Sequence, residues 1–349
     1  MSGSSLDGVD LACCDFTFKD NCWNYKVLKG KTYPYSDMWV ARLQQLPLQN
    51  LEVFPKTHAY YGRYLGQLVN QFIQETNLAS DFVASHGHTI FHQPSAGFTA
   101  QIGDGAAISA ICGLPVVSDF RSMDIALGGE GAPLVPIGDQ LLFSSYEACL
   151  NLGGISNISY KKEDKVAAYD ISPCNLVLNK IAQSLGQPYD NKGLLASSAE
   201  PNMELVYQLN SLPFYKQNGA KSLGVEWVDE NIWPIVNQFS ELNELEILAS
   251  LSKHISFQIS SVMNEQELKN VLVTGGGAFN EFLIQQIREN TKANLVIPEL
   301  ELVQFKEALI FAFLGVLRIC NQNNVLCSVT GSSKDHVGGA LYGNFNLLI

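Results

Sequence analysis

Short apolar runs alternate along this chain with longer segments whose apolar residues return every three or four positions, and that alternation predicts an α/β fold. Residues 9–18 read as a strand. Between positions 58 and 74, Tyr61, Tyr64, Leu65, Leu68, Val69 and Phe72 fall on one face of a helix. A short strand at 82–85 runs into a Gly/His loop, a helix at 105–112 stops at Gly113, and another short strand follows at 115–118. The second half repeats the alternation. Strands are expected at 148–152, 155–160 and 166–170, with a charged, solvated turn at 161–165 and a helix at 176–185 after them. A long helix at 242–262 leads to a buried strand at 268–273, a helix at 280–289, a short strand at 295–297 and a strongly apolar helix at 305–318.

Strand–turn–strand units ahead of a helix occur in both halves, and no fixed short repeat appears. The pattern predicts two related, β-rich α/β domains rather than one doubly wound sheet. The Gly/Pro-rich stretch 127–138 reads as a loop and is the best break in the first half. It gives expected domains 1–130 and 131–349, with the last helix free to return to the first. Length agrees, since 349 residues at roughly 150 per domain make two. The turn-rich segment 1–10 is out of pattern. It opens the chain with no strand ahead of it, so either this loop is floppy or a leading strand is missing.

Composition narrows the partners. Hydrophobic residues make up 46% and charged residues only 16%, against roughly 25% charged in an ordinary chain. Such a chain can bury a sizeable core and is not disordered. With 22 Lys and Arg against 34 Asp and Glu, the net charge is −12, which counts against nucleic acid or an anionic membrane as partner. A local anion site is still allowed, because backbone N–H groups bind phosphate without any lysine. The eight cysteines form no C-x-x-C pair and read as reduced thiols of a cytoplasmic protein. No apolar stretch approaches the roughly 20 residues of a membrane span, and no signal peptide is read ahead of the first motif.

The candidate chemistry gathers in loops. Segments 3–10, 153–157 and 275–277 share one logic: glycines permit tight backbone, so N–H groups can point at an anion. Each alone is as readily a plain turn; together they suggest a triphosphate held by two domains. None matches the P-loop or dinucleotide fingerprints, and the protein-kinase signature set is absent. Asp104, Asp119, Asp124 and Asp170 are strand-end acids that could serve as bases or equally as caps and turn residues. His86, His88 and His92 would suit a metal, but no companion spacing completes a site.

In chain order, Ser2-Gly-Ser-Ser-Leu-Asp-Gly-Val-Asp10, Ser85-His-Gly-His-Thr89, Gln101-Ile-Gly-Asp104, Asp119-Phe-Arg121 with Asp124, Gly128-Gly-Glu-Gly-Ala-Pro-Leu-Val-Pro136, Asn151-Leu-Gly-Gly-Ile-Ser-Asn157, Tyr169-Asp170 with Pro173 and Asn175, and Gly275-Gly-Gly277 resemble the anhydro-N-acetylmuramic acid kinase family over nearly the whole chain. The resemblance implies the sugar kinase/Hsp70/actin fold, with two ribonuclease-H-like domains and ATP in the cleft between them. It also implies a reaction of peptidoglycan recycling, in which ATP and water convert 1,6-anhydro-N-acetylmuramic acid to N-acetylmuramic acid 6-phosphate. By the same resemblance Asp170 is the catalytic base. ATP falls to Gly3, Ser4, Ser5, Leu6, Asp7, Gly8, Val9, Asp10, Gly153, Gly154, Gly275, Gly276, Gly277 and Asn280, the last four beside the adenosine. The sugar falls to Thr89, Asp119, Arg121 and Asp124, and Arg121 suits its lactyl carboxylate because a planar guanidinium binds bidentately. Mg²⁺ is expected with the phosphates, and Asp7 is the nearest acid to serve it.

The chain departs from the family pattern in places. Ser4 replaces a usual Thr, His88 a usual Gln and Glu130 a usual Gln, and the family's leading strand is absent. Ile171-Ser-Pro-Cys-Asn175 stands where Thr-Gly-Pro-Gly-Asn is common. Lys221, Ser222, Gly224, Glu226 and Trp227 resemble a second family motif, open between structural loop and substrate contact. Rival readings are a same-fold kinase for another amino sugar, a non-catalytic ATP-dependent clamp and a metal hydrolase on the histidine loop. Oligomeric state is not fixed by the sequence, and a homodimer is compatible with it.

Overall fold

The computed structural model describes residues 1–3, 6–163, 165–217, 219 and 221–345. Twelve strands lie among them: β1 (Gly8–Lys19), β2 (Cys22–Pro34), β3 (Val83–Ser85), β4 (His88–Gln93), β5 (Phe98–Ile102), β6 (Val116–Ser118), β7 (Ala148–Leu152), β8 (Ile155–Lys162), β9 (Lys165–Pro173), β10 (Asn270–Thr274), β11 (Asn294–Val296) and β12 (Ala340–Tyr342). The fold is mixed α/β and divides into two compact units, Met1–Leu142 with Phe305–Ile349, and Phe143–Gln304. The first unit thus runs past position 130 to Leu142.

The expected loop at 127–138 is irregular only as far as Leu134, because Val135–Leu142 is a helix. Its glycine misled the sequence reading. A Cβ on Gly138 would stand 2.6 Å from Ile310 Cγ2, so this glycine serves close packing against the helix Leu300–Ile319 rather than a turn.

In unit 1, β1 and β2 form a long antiparallel hairpin with a register shift at Cys13/Cys14. A three-stranded sheet runs β12-β6-β3, with β3 parallel and β12 antiparallel to β6, and β4 pairs β5 in a separate hairpin. Helix Val53–Thr76 buries Tyr61, Leu65, Leu68 and Phe72 in the core of this unit, together with Val9, Trp39, Ile102 and Ile108. A cavity of about 480 Å³ is lined by β1 (Val9, Leu11, Cys13) and by Phe82, Val83 and Ala84 on and beside β3.

The front end of the chain is held. The Met1 ammonium donates to Asp10 O at 2.7 Å, and Asp10 N–H donates back to Met1 O at 2.8 Å. Buried Ser2 shares hydrogen bonds with Tyr35 OH (2.5 Å) and His88 Nδ1 (2.8 Å), and Tyr35 OH in turn bonds Tyr61 OH.

In unit 2 a five-stranded sheet runs β11-β10-β7-β8-β9. β7, β8 and β9 form an antiparallel meander, while β10 and β11 run parallel to β7. Leu150, Leu152, Val271 and Val273 are fully buried, each contributing about 1.5–3 kcal/mol by leaving water. The long helix is Glu244–Glu265, started by a capping box between Asn243 and Glu246. No helix among the described residues is long and apolar enough to cross a membrane. All eight cysteines are free thiols.

Candidate active site

The sugar-site candidates lie in unit 1, around the exits of β3 and β6. His86 follows β3 and is buried. Its Nε2 accepts from Arg121 Nε at 3.0 Å, which leaves Nδ1 to carry the proton and donate to Gly87 O, also at 3.0 Å. Burial pushes His86 well below its ordinary pKa, and the Arg121 charge adds to that. The ring is therefore neutral and serves as a fixed acceptor for Arg121.

Arg121 Nη1 donates to Gly131 O at 2.6 Å. Burial lowers the guanidinium to about 10, opposed by the Glu307 and Asp124 charges, so it stays cationic at neutral pH. Glu307, an exposed acid on the helix Leu300–Ile319, is close enough to Arg121 for the two charges to act on each other. The sequence reading missed this acid because it sits inside a strongly apolar helix.

Asp124 is fully buried. Its Oδ2 accepts from Gly131 N–H and its Oδ1 from Thr330 Oγ1, each at 2.7 Å, with His336 Nε2 3.8 Å away. The carboxylate thus ties the 128–131 loop to the chain near Thr330, and the loop in turn anchors Arg121 through Gly131. Asp119 is exposed, sits in the left-handed region (φ 57°) as β6 ends, and accepts from Ser122 N–H at 3.3 Å. Thr89 is exposed on β4, its hydroxyl accepting from Gln101 Nε2 at 3.3 Å.

The first glycine loop precedes β1. Gly3 and Asp7 are exposed, Leu6 has φ 57°, and Gly8, Val9 and Asp10 already belong to β1. Asp10 Oδ1 accepts from the Thr32 hydroxyl at 2.5 Å. Ser4 and Ser5 lie outside the described residues.

In unit 2, Gly153 and Gly154 make the turn between β7 and β8. Their carbonyls accept from Asn175, Cys174 and Leu176 N–H at 2.8–3.1 Å and so receive the start of the helix Asn175–Ser184. Gly275 has φ 83°, and a Cβ there would stand 2.5 Å from Asn151 Oδ1 and 2.8 Å from the Leu152 carbonyl. Gly276 and Gly277 open the short turn Gly276–Phe279 after β10. Asn280 caps the helix Glu281–Asn290, its Oδ1 accepting from Leu283 N–H at 3.0 Å.

Asp170 lies on β9 beside a register shift. Its N–H donates to Lys221 O at 3.0 Å, and its Oδ2 accepts from Leu223 N–H at 2.8 Å. Oδ1 takes no hydrogen bond from the described residues. Burial raises the carboxyl above its ordinary range, and the Leu223 N–H works against that rise. Among the described residues no group of three or more His, Cys, Asp and Glu is placed to hold a metal ion.

Residues 1–344 match the family model described as anhydro-N-acetylmuramic acid kinase. The chain is 33% identical over 383 residues to a Synechocystis protein of that name, covering 98% of this chain and 97% of the relative. It is 31% identical over 371 residues to one from Acinetobacter baylyi, again covering 98% and 97%. Among solved structures it is similar to a ROK hexokinase from Thermus thermophilus, with TM-score 0.37 and 12% identity over 88% of this chain and 99% of that one.

Proposed function

The chain belongs to the anhydro-N-acetylmuramic acid kinase family, and we propose that it opens 1,6-anhydro-N-acetylmuramic acid with water and phosphorylates O6 from ATP. Asp170 takes a proton from water. The water oxygen bonds to the anomeric carbon as the 1,6-anhydro C–O bond breaks, and the freed O6 takes the γ-phosphoryl group, releasing ADP. The products are N-acetylmuramic acid 6-phosphate and ADP, a step of peptidoglycan recycling.

The observation that carries this reading is the Asp170 carboxylate. One oxygen is held by a backbone N–H, the other is free of hydrogen bonds from the described residues, and burial raises its basicity. A carboxylate of raised pKa is a better general base near neutral pH. Arg121, locked by His86 and Gly131, presents a guanidinium of fixed orientation to the lactyl carboxylate. Thr89 and Asp119, both exposed, take sugar hydroxyls, and Asp124 supports the loop that fixes Arg121. Segments 3–10, 153–154 and 275–277 with Asn280 receive the nucleotide through backbone N–H groups.

Mg²⁺ fits this donor set. It binds through phosphates, waters and one or two carboxylates rather than an all-protein cage, and Asp7 offers an exposed carboxylate on the first glycine loop. When bound, the ion neutralises phosphate charge.

The test is product analysis with ATP and the anhydro-sugar. N-acetylmuramic acid 6-phosphate carrying one oxygen from labelled water supports the proposal. Phosphorylation of N-acetylglucosamine without turnover of the anhydro-sugar overturns it. Asp170→Asn should cut kcat by roughly 10³ while ATP binding by calorimetry persists; retained turnover removes Asp170 from the base role.

A further inference from the structure

We propose that segment 221–227, the second family motif of the sequence, is a clamp that holds the Asp170 carboxylate in its productive orientation, with Lys221 as the positioning residue that sets the clamp. The proposal rests on reading Asp170 as the base. The clamp closes on Asp170 from both ends, through Asp170 N–H to Lys221 O and Leu223 N–H to Asp170 Oδ2. Two residues of one segment therefore fix the backbone and one carboxylate oxygen of the same aspartate.

Lys221 pins the segment from behind. Its Nζ donates to Phe214 O and Gln217 O, both at 3.2 Å, and lies 4.7 Å from the Phe214 ring centroid. Phe214 and Tyr215 pack on Trp227, at 5.2 and 6.2 Å between centroids. Tyr215 is itself anchored. Asn210 Oδ1 accepts from Gln258 Nε2 at 2.8 Å and from His254 Nδ1 at 2.6 Å, which leaves His254 Nε2 to accept from Tyr215 OH at 2.9 Å. A partly buried polar chain thus anchors the aromatic side chains that pack on this segment.

The groups acting on Asp170 are its burial and the Leu223 N–H, and the charge facing Lys221 is Glu265. A hydrogen bond to a carboxylate favours its ionised form. Loosening the clamp therefore raises the Asp170 pKa and moves the acid limb of the rate profile upward. Lys221→Met keeps the stem that packs on Phe214 and removes the two carbonyl bonds. Expected are a roughly tenfold lower kcat, an acid limb moved up by about one pH unit and a KM for ATP within about twofold of wild type. Lys221→Arg restores both kcat and the limb.

A lower melting temperature with the limb unmoved means a merely structural lysine and overturns the clamp. An unmoved limb with a much higher KM for ATP also overturns it, in favour of a phosphate contact. Where Lys221→Met does not fold, Lys221→Gln, which keeps a donor, should give an intermediate limb shift, and no shift overturns the proposal. Asp170→Asn is measured alongside. If it is inactive and the limb in Lys221→Met is unmoved, only the clamp fails; if it remains active, the base assignment fails first.

Discussion

Replacing Asp124 with Asn tests whether the sugar site is held from inside the protein. The native carboxylate receives two short hydrogen bonds, from Gly131 N–H and Thr330 Oγ1, in a fully buried place. Asn keeps the volume but has one acceptor oxygen, so its NH₂ must face one of those donors. The amide turns its NH₂ to Thr330 Oγ1, which accepts it while the hydroxyl proton goes to Leu326 O, so the loss is the charge on the acceptor. Two hydrogen bonds fall from about 1.5–3 to about 0.5–1.5 kcal/mol each, a net destabilisation of about 2 kcal/mol. At the roughly 2–4 °C per kcal/mol of domains this size, the melting transition should fall by about 4–8 °C. Function should follow by one relay. Gly131 O accepts from Arg121 Nη1, so releasing the loop frees the guanidinium, and KM for the sugar should rise about tenfold while KM for ATP holds. Scanning calorimetry and initial rates with each substrate varied in turn give both numbers. A melting temperature within about 1 °C of wild type, with the sugar KM unchanged, would refute the relay.

Two further outcomes follow from geometry already described. Gly275→Ala places a Cβ against backbone at a positive φ, a strain of about 2–3 kcal/mol on the turn after β10; KM for ATP should rise tenfold or more with the sugar KM unchanged, and an unchanged KM for ATP separates this turn from the nucleotide. Acid should destabilise the fold through buried histidines: burial lowers His88 to about 4 and His254 to about 3. Since the unfolded chain takes these protons near pH 6.5 and the folded chain does not, stability is full above 6.5 and is lost as pH falls to those values. At 1.36 kcal/mol per unit the full extents are about 3 and 5 kcal/mol. Urea midpoints of wild type and His254→Gln should converge between pH 6.5 and 3, and a constant gap counts against this origin.

Much of unit 2 is legible in the sequence because its signals are local. The runs that become β7 and β10 are apolar and stop at glycines, β8 runs from a glycine pair to a charged turn, and the helix expected at 242–262 is found at Glu244–Glu265. β2 escapes notice for a physical reason. One of its faces is exposed and the other, apart from buried Tyr33, only half-buried, so Lys26, Lys29 and Lys31 interrupt any apolar run. Helix Val225–Val236 escapes because Pro234 lies inside it. The site splits the same way. Asp170, Arg121 and Asp124 stand out as charged residues at strand ends, whereas the N–H of Leu223 that holds Asp170 belongs to the backbone and leaves no trace in residue identity. His86 sits in a histidine loop whose spacing completes no metal site, and its work is seen only through its two ring partners, Arg121 and Gly87.

The cavity between β1 and β3 bears on how local order is distributed. β7 has a ladder partner on each side, β8 and β10. Among the described residues β1 pairs with β2 and β3 with β6, the Met1–Asp10 pair is the further backbone contact of β1, and residues of both strands line the cavity. Backbone groups on such an edge open at low cost, so amide hydrogens of β1 should exchange with solvent well before those of β7. The first glycine loop leads straight into β1. A ligand that grips this loop at Gly8–Asp10, the first residues of β1, therefore slows exchange along the rest of the edge, and part of its binding free energy is expended on stiffening strand residues beyond its contacts.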